Sequence, residues 1–170
     1  LYTLPIAGGA ATRLTSGLAH DAQPRWSPDG QRIAFITDRS GGNNVWVIAA
    51  DGRDTVQLSK STDDLYVSPE WTPDGKYVAV TRSAQGGAPR IFLYHVDGGS
   101  GIQVIRDPAQ QMALGAAFSP DGRYLWYATR QGVTSYNQIF PSYQLAASNS
   151  AWRPGWMRMS ATSRIMRLPL

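Results

Sequence analysis

Groups able to carry catalysis are few in this chain of 170 residues. The two histidines, His20 and His95, are far apart, and neither belongs to a His-x-His or His-Glu-x-x-His pattern of the kind that holds zinc. Cysteine is absent, which removes thiolate nucleophiles, thiolate-bound metals and any disulfide framework. Neither a Gly-x-Ser-x-Gly elbow nor a Gly-x-x-x-x-Gly-Lys-Ser/Thr phosphate loop occurs. No catalytic residue, metal site or cofactor is therefore assigned. What remains is two polar pairs, His20 with Asp21 and Asp63 with Asp64, suited to contacting a polar ligand. Neither shows the Asp-x-Asp-x-Asp-Gly rhythm of a calcium loop. His95 continues the alternation of Ile91 and Leu93 and reads as a packed or edge imidazole.

The elements that must position these pairs are set by an internal repeat. Ser27-Pro28-Asp29-Gly30, Thr72-Pro73-Asp74-Gly75 and Ser119-Pro120-Asp121-Gly122 recur at spacings of 45 and 47 residues. Each follows an aromatic residue (Trp26, Trp71, Phe118) and precedes an apolar run: Ile33 to Ile36, Tyr77 to Val80, Tyr124 to Tyr127. A hydroxyl that bonds back to the turn, a proline that presets φ, an aspartate and a permissive glycine together specify a type I turn, so one hairpin is encoded three times. Beyond each hairpin come a Gly-rich connection, a third apolar run (Val45 to Ile48; Ile91 to Tyr94), a second tight turn and a short fourth run (Thr55 to Leu58; Ile102 to Ile105).

Four strands in about 45 residues, apolar on both faces, cannot bury themselves alone, and radial stacking of such units makes a β-propeller. The expected fold is all-β, a partial propeller of four-stranded antiparallel blades. Residues 1–15 align with the end of a blade, so about three and a half blades are predicted, with the last third strand in Gln138 to Leu145. His20 with Asp21 and Asp63 with Asp64 then fall on one side, leading into inner strands near the axial channel. Asp38 is expected on the opposite side, and Trp26, Trp46, Trp71 and Trp126 are expected as core anchors.

The run Trp26-Ser27-Pro28-Asp29-Gly30-Gln31-Arg32-Ile33-Ala34-Phe35 resembles the WD-repeat-like motif of the TolB-like β-propeller family. The resemblance covers about residues 1–130 and implies a periplasmic or otherwise exported protein. It also implies a protein or peptide partner, or a catalytic domain of the same parent protein. Tyr66 to Trp71 and Tyr136 to Leu145 are similar to the N-terminal propeller of propeller–amidohydrolase fusions, which implies a non-catalytic scaffold beside a hydrolase. In that group another strand and turn follow; here the pattern stops.

Residues 1–146 carry twelve Lys/Arg and twelve Asp/Glu, whereas 147–170 hold four Arg and no acid. The excess charge marks an atypical tail rather than a basic binding face, and no nucleic-acid partner is assigned. The tail reads as a basic extension, a truncated blade or a change of reading frame, the last two being preferred. No apolar run is long enough to span a bilayer. Closed propellers need about 4–8 blades, so the alternative to a larger parent is a free-standing TolB-like protein-interaction module that closes its ring as a homodimer of half-rings, seven blades in all.

Overall fold

The computed structural model describes residues 1–106, 112–130 and the strand at 166–167. The expected third strand in Gln138 to Leu145, and the tail apart from that strand, lie outside the described residues. Hairpin β1 (Tyr2–Thr3) with β2 (Thr12–Arg13) opens the chain. The first blade is β3 (Asp21–Trp26), β4 (Arg32–Thr37), β5 (Asn44–Ala49) and β6 (Val56–Gln57). The second is β7 (Leu65–Trp71), β8 (Tyr77–Ser83), β9 (Arg90–His95) and β10 (Ile102–Gln103). A three-stranded sheet follows, with β11 (Met112–Phe118), β12 (Tyr124–Arg130) and β13 (Met166–Arg167). All pairings are antiparallel and consecutive, and no helix among the described residues is long and apolar enough to cross a membrane.

The repeated tetrapeptide performs the same chemistry three times. Ser27 Oγ donates to Asp29 Oδ1 at 2.5 Å and accepts Arg32 N–H at 2.9 Å, while Gln31 N–H reaches the same carboxylate oxygen at 3.0 Å. Thr72 with Asp74 and Ser119 with Asp121 repeat the arrangement at 2.6 and 2.5 Å. The glycines accept φ near +70°, which a side chain would resist. Charge-assisted hydrogen bonds favour the ionised carboxyl, first from the turn hydroxyl and then from the backbone, so Asp29 and Asp74 lie below the ordinary value. At Asp121 the Ser119 hydroxyl, followed by Arg123, brings the value down to about 2. A depressed carboxyl stabilises the fold above its unfolded pKa and loses that contribution as pH falls through the folded pKa. The turns are therefore expected to loosen in acid, Asp121 last, near pH 2. In a carboxyl NMR titration, Ser119→Ala should raise the Asp121 midpoint toward 3.8; an unmoved midpoint would show that the hydroxyl is not the main cause.

The core lies between blades rather than within one. Ile33, Phe35 and Ile48 pack with Leu1, Leu14 and Trp46; Ala34, Ile36 and Val47 pack with Trp71, Val78 and Val80; Ala79 and Ile91 pack with Leu125 and Tyr127. Both faces of β4 are thus buried, as alternation between two neighbouring blades requires. Trp71 is 3% exposed, its Nε1 donating to Arg25 O at 3.0 Å in the preceding blade and the Arg32 guanidinium 5.1 Å from its ring centroid. Its repeat equivalent Trp26 is 53% exposed and Trp126 is 46% exposed, contrary to the expectation that all four are core anchors. The reason is positional: the indole of Trp26 faces the side of a preceding blade that the short β1–β2 hairpin only partly supplies, and Trp126 faces the side of a following one.

Each inner strand is bulged. Register shifts fall between Ala22 and Arg25, Val67 and Glu70, and Leu114 and Ala117. The residues inside the shifts, Gln23, Ser68 and Gly115, have φ of 54°, 55° and 60°. For Gln23 and Ser68 this is an uncommon conformation. It is held between blades, since Ser68 N–H donates to Gln23 Oε1 at 2.6 Å and Gly115 N–H to Thr81 Oγ1 at 3.0 Å.

Candidate binding site at the inner-strand loops

Because each hairpin turns at its Ser/Thr-Pro-Asp-Gly, the second strand returns to the end where the first began. The loops before β3 and β7 therefore share one end with the β4–β5 connection, and the four-residue turns occupy the other. Asp38, expected on the opposite side, is corrected by this geometry: its Oδ1 accepts the His20 backbone N–H at 2.8 Å, and Asp21 pairs with Thr37. Antiparallel return of β4 makes this side the necessary place for Asp38.

His20 is exposed, beside a shallow open cleft of about 430 Å³ lined by Ser16, Gly17, Leu18, Ala19, Asp38 and Arg39. Asp21 is largely buried and held by Arg39 Nη2 at 2.9 Å, with the chain's amino group at 3.7 Å. Burial alone would raise its pKa, but hydrogen bonds from Thr37 and Thr15 and the Arg39 cation outweigh it, leaving the carboxyl below its ordinary value. Arg39 also lies over the rings of Phe35 and Trp46 at 5.3 and 5.4 Å, so this ion pair is part of the blade.

The second pair is built differently. Ser61 Oγ accepts the backbone N–H groups of Asp63 and Asp64 at 3.3 and 3.0 Å, and Thr62 Oγ1 donates to Asp63 Oδ2 at 2.9 Å. Asp63 is exposed, whereas Asp64 Oδ2 takes Nε and Nη2 of Arg82, both at 2.7 Å, and faces the Tyr66 hydroxyl at 3.4 Å. Tyr66 meets Tyr94, whose hydroxyl burial pushes upward in pKa. The loop itself is tied down by Asn44, which is 1% exposed. Its Nδ2 donates to Gly42 O and Ser61 O at 2.9 and 2.8 Å, and its Oδ1 accepts Ser59 Oγ and Ser61 N–H, each at 2.9 Å.

The structure thus places His20 with Asp21 and Asp63 with Asp64 at the heads of adjacent inner strands, with no hydrogen bond or ion pair shown between the two pairs. Asp21 and Asp64 are committed to arginines; His20 and Asp63 present exposed polar groups. The inner strands add a charged pair that neither polar pair includes. There Arg25 Nε stands 3.7 Å from Glu70 Oε2, with both side chains partly exposed. Burial raises the Glu70 carboxyl, against the opposing Arg25 cation. The signal was present in the repeat: a residue three before each aromatic, followed by Pro24, Pro69 or Ala116, marks the bulge that turns Arg25 and Glu70 toward one another. Among the described residues no group of three or more His, Cys, Asp or Glu is placed to share a metal ion.

Comparison with known proteins accords with this architecture. The family described as the TolB beta propeller domain matches residues 1–142. The Tol-Pal system protein TolB of Francisella tularensis subsp. mediasiatica is 32% identical over 141 residues, 82% of this chain and 32% of that protein. The crystal structure of TolB from Acinetobacter baumannii superposes with a TM-score of 0.65 at 22% identity, covering 78% of this chain and 32% of that one. A puromycin-hydrolyzing peptidase of Mycobacterium tuberculosis shares the fold with a TM-score of 0.57 at 22% identity, covering 72% of this chain and 20% of that one. The chain spans between 21% and 32% of the length of the curated relatives it matches.

Proposed function

Because this chain belongs to the TolB beta propeller domain family, we propose that it is a non-catalytic binding and scaffold module, the propeller portion of a larger exported hydrolase of amidohydrolase type. Residues 1–146 form that portion in this reading, and 147–170 a separate basic segment. The observation that carries it is the division of labour at the inner-strand end. Of the acids in the two polar pairs, Asp21 and Asp64 are spent on structural ion pairs and Asp63 is exposed. A rigid surface with a few exposed polar groups suits recognition of a peptide or of a neighbouring domain better than bond cleavage. Hydrolysis by a structural relative that this chain matches over 20% of its length supports a propeller serving beside a catalytic domain. A periplasmic or otherwise exported location and a protein partner are part of this reading, by resemblance to the TolB-like propellers, one relative being named a Tol-Pal system protein.

Selection of a phage-displayed peptide library on the immobilised chain tests this. Recovered synthetic peptides should bind the parent and lose at least tenfold in affinity to His20→Ala or Asp63→Ala, while both variants keep the parent's circular dichroism. Peptides bound equally by the variants would remove these loops from the site. Turnover of ester or amide substrates by the purified chain, with or without added divalent metal, would overturn the non-catalytic reading.

A further inference from the structure

Aspartate followed by glycine is open to isomerisation, because a residue without a side chain leaves its backbone nitrogen unshielded beside the aspartyl carboxyl. The pair occurs five times in this chain, at Asp29, Asp51, Asp74, Asp97 and Asp121. All five lie in tight turns, and in each the glycine N–H donates to the carbonyl three residues before it, at 2.9 or 3.0 Å. The sites are alike in sequence and in turn, and the carboxyl tells them apart.

Four of the carboxyls are tied to the backbone. Oδ1 of Asp29, Asp51 and Asp74 accepts the N–H two residues on, from Gln31, Arg53 and Lys76, each at 3.0 Å; Oδ1 of Asp121 accepts that of Arg123 at 3.1 Å. At Asp29, Asp74 and Asp121 the hydroxyl of Ser27, Thr72 or Ser119 is a second donor, and at Asp51 the guanidinium of Arg53 stands 3.3 Å away. Asp97 differs. The residue two on is Gly99, and among the described residues no hydrogen bond reaches the Asp97 carboxylate. His95 Nδ1 stands 3.6 Å from Oδ2 but already accepts the Asp97 backbone N–H at 3.2 Å, so the neutral imidazole has no hydrogen to offer there. The Asp97 side chain is 85% exposed. Its loop also has room to rearrange: a Cβ on Gly52 would stand 3.3 Å from Leu14 O, whereas one on Gly98 or Gly99 would meet nothing within 4 Å.

We propose that Asp97 is a site of spontaneous covalent modification, its peptide bond to Gly98 converting to an isoaspartyl linkage while the other four Asp-Gly turns stay intact. The Gly98 nitrogen attacks Cγ of the Asp97 carboxylic acid. A C–N bond forms, the bond from Cγ to the hydroxyl oxygen breaks, and that hydroxyl leaves with the amide hydrogen as water. Water then returns to the cyclic imide at the former main-chain carbonyl carbon and breaks its bond to the Gly98 nitrogen. A free α-carboxylate remains, and the chain runs through Cγ with an added methylene. No electrons are exchanged and no cofactor takes part. The reacting form is the neutral acid, which separates the sites again, because the bonds that hold Asp29, Asp74 and Asp121 below the ordinary carboxyl value keep them ionised. The loop joins β9 to β10 at the end occupied by the four-residue turns, where Val96 N–H donates to Lys76 O at 3.0 Å. The modification is therefore remote from the inner-strand loops and independent of what they bind. Its structural effect falls on β10, since Gly101 at the end of the loop is pressed so closely on the Tyr94 ring that a Cβ there would come within 2.7 Å of it.

Trypsin puts the five Asp-Gly pairs on five different peptides, that of Asp97 being residues 91–106. The folded 170-residue chain is incubated in heavy-oxygen water at mildly acidic pH, digested, and read by mass spectrometry for label uptake and isoaspartyl fragment ions. Peptide 91–106 should convert at least about tenfold faster than the other four, each of which must first give up a charge-assisted hydrogen bond. In guanidinium chloride, where the turns are lost, the five rates should converge. Asp97→Glu, which would have to close a larger ring, should abolish the signal from 91–106 and leave the other peptides unchanged. Equal rates at all five sites in the folded chain, a faster site elsewhere, an Asp97 that stays unmodified while the denatured chain converts, or an Asp97 equally favoured in denaturant would each overturn the proposal.

Discussion

Trp71→Ala is expected to destabilise the chain by about 3–5 kcal/mol, the range for removing a large buried aromatic side chain. The indole sits at the heart of the contact between first and second blades, with Ala34, Val78 and Val80 around it. Its loss also strips the Arg25 carbonyl of its donor and the Arg32 guanidinium of its ring. Urea unfolding followed by circular dichroism would read the difference. The control is Trp26→Ala, where the ring is 53% exposed and the expected cost is under about 1 kcal/mol. Equal costs at the two positions would show that blade-to-blade packing is not what makes Trp71 important.

Asn44→Ala should cost about 2–4 kcal/mol, from lost hydrogen bonds and from buried groups left without partners. One side chain joins the β4–β5 connection through Gly42 O and the loop before β7 through both the carbonyl and the N–H of Ser61. The approach is too close to repack: a Cβ at Gly42 would come within 2.4 Å of Ser61 O. The functional consequence is local, because Ser61 in turn holds the backbone of Asp63 and Asp64. Hydrogen exchange of the Ser61, Asp63 and Asp64 amides should accelerate in the variant more than that of the β8 amides. Uniform acceleration would mean that Asn44 acts on global stability alone and does not specifically brace the loop carrying Asp63.

These two residues differ in how legible they were. Trp71 could be read from the repeat, since an aromatic precedes every Ser/Thr-Pro-Asp-Gly, although its counterpart Trp26 carries the same signal and is exposed. Asn44 carried no such signal, because its partners at Ser59 and Ser61 belong to a connection 15 and 17 residues away. The polar pairs show the same limit. Their place at the heads of inner strands followed from the repeat, but which acid an arginine neutralises did not: Arg39 reaches Asp21 and Arg82 reaches Asp64, each across 18 residues. The composition of its loop does not tell which end Asp38 occupies; the antiparallel return of β4 does, by bringing it to the His20 backbone N–H.

The amino-acid sequence by itself determined the hairpins, their turn chemistry, the four-stranded unit and the family, because those depend on neighbours within a few residues and on a period repeated three times. Tertiary structure decided the rest. Left-handed bulges at Gln23 and Ser68 became tolerable only when stacking placed the Gln23 side chain against the Ser68 amide, 45 residues on. Stacking likewise decided that Trp71 is covered and Trp26 is not, since a blade's outer face has no burial of its own until a neighbour lies against it.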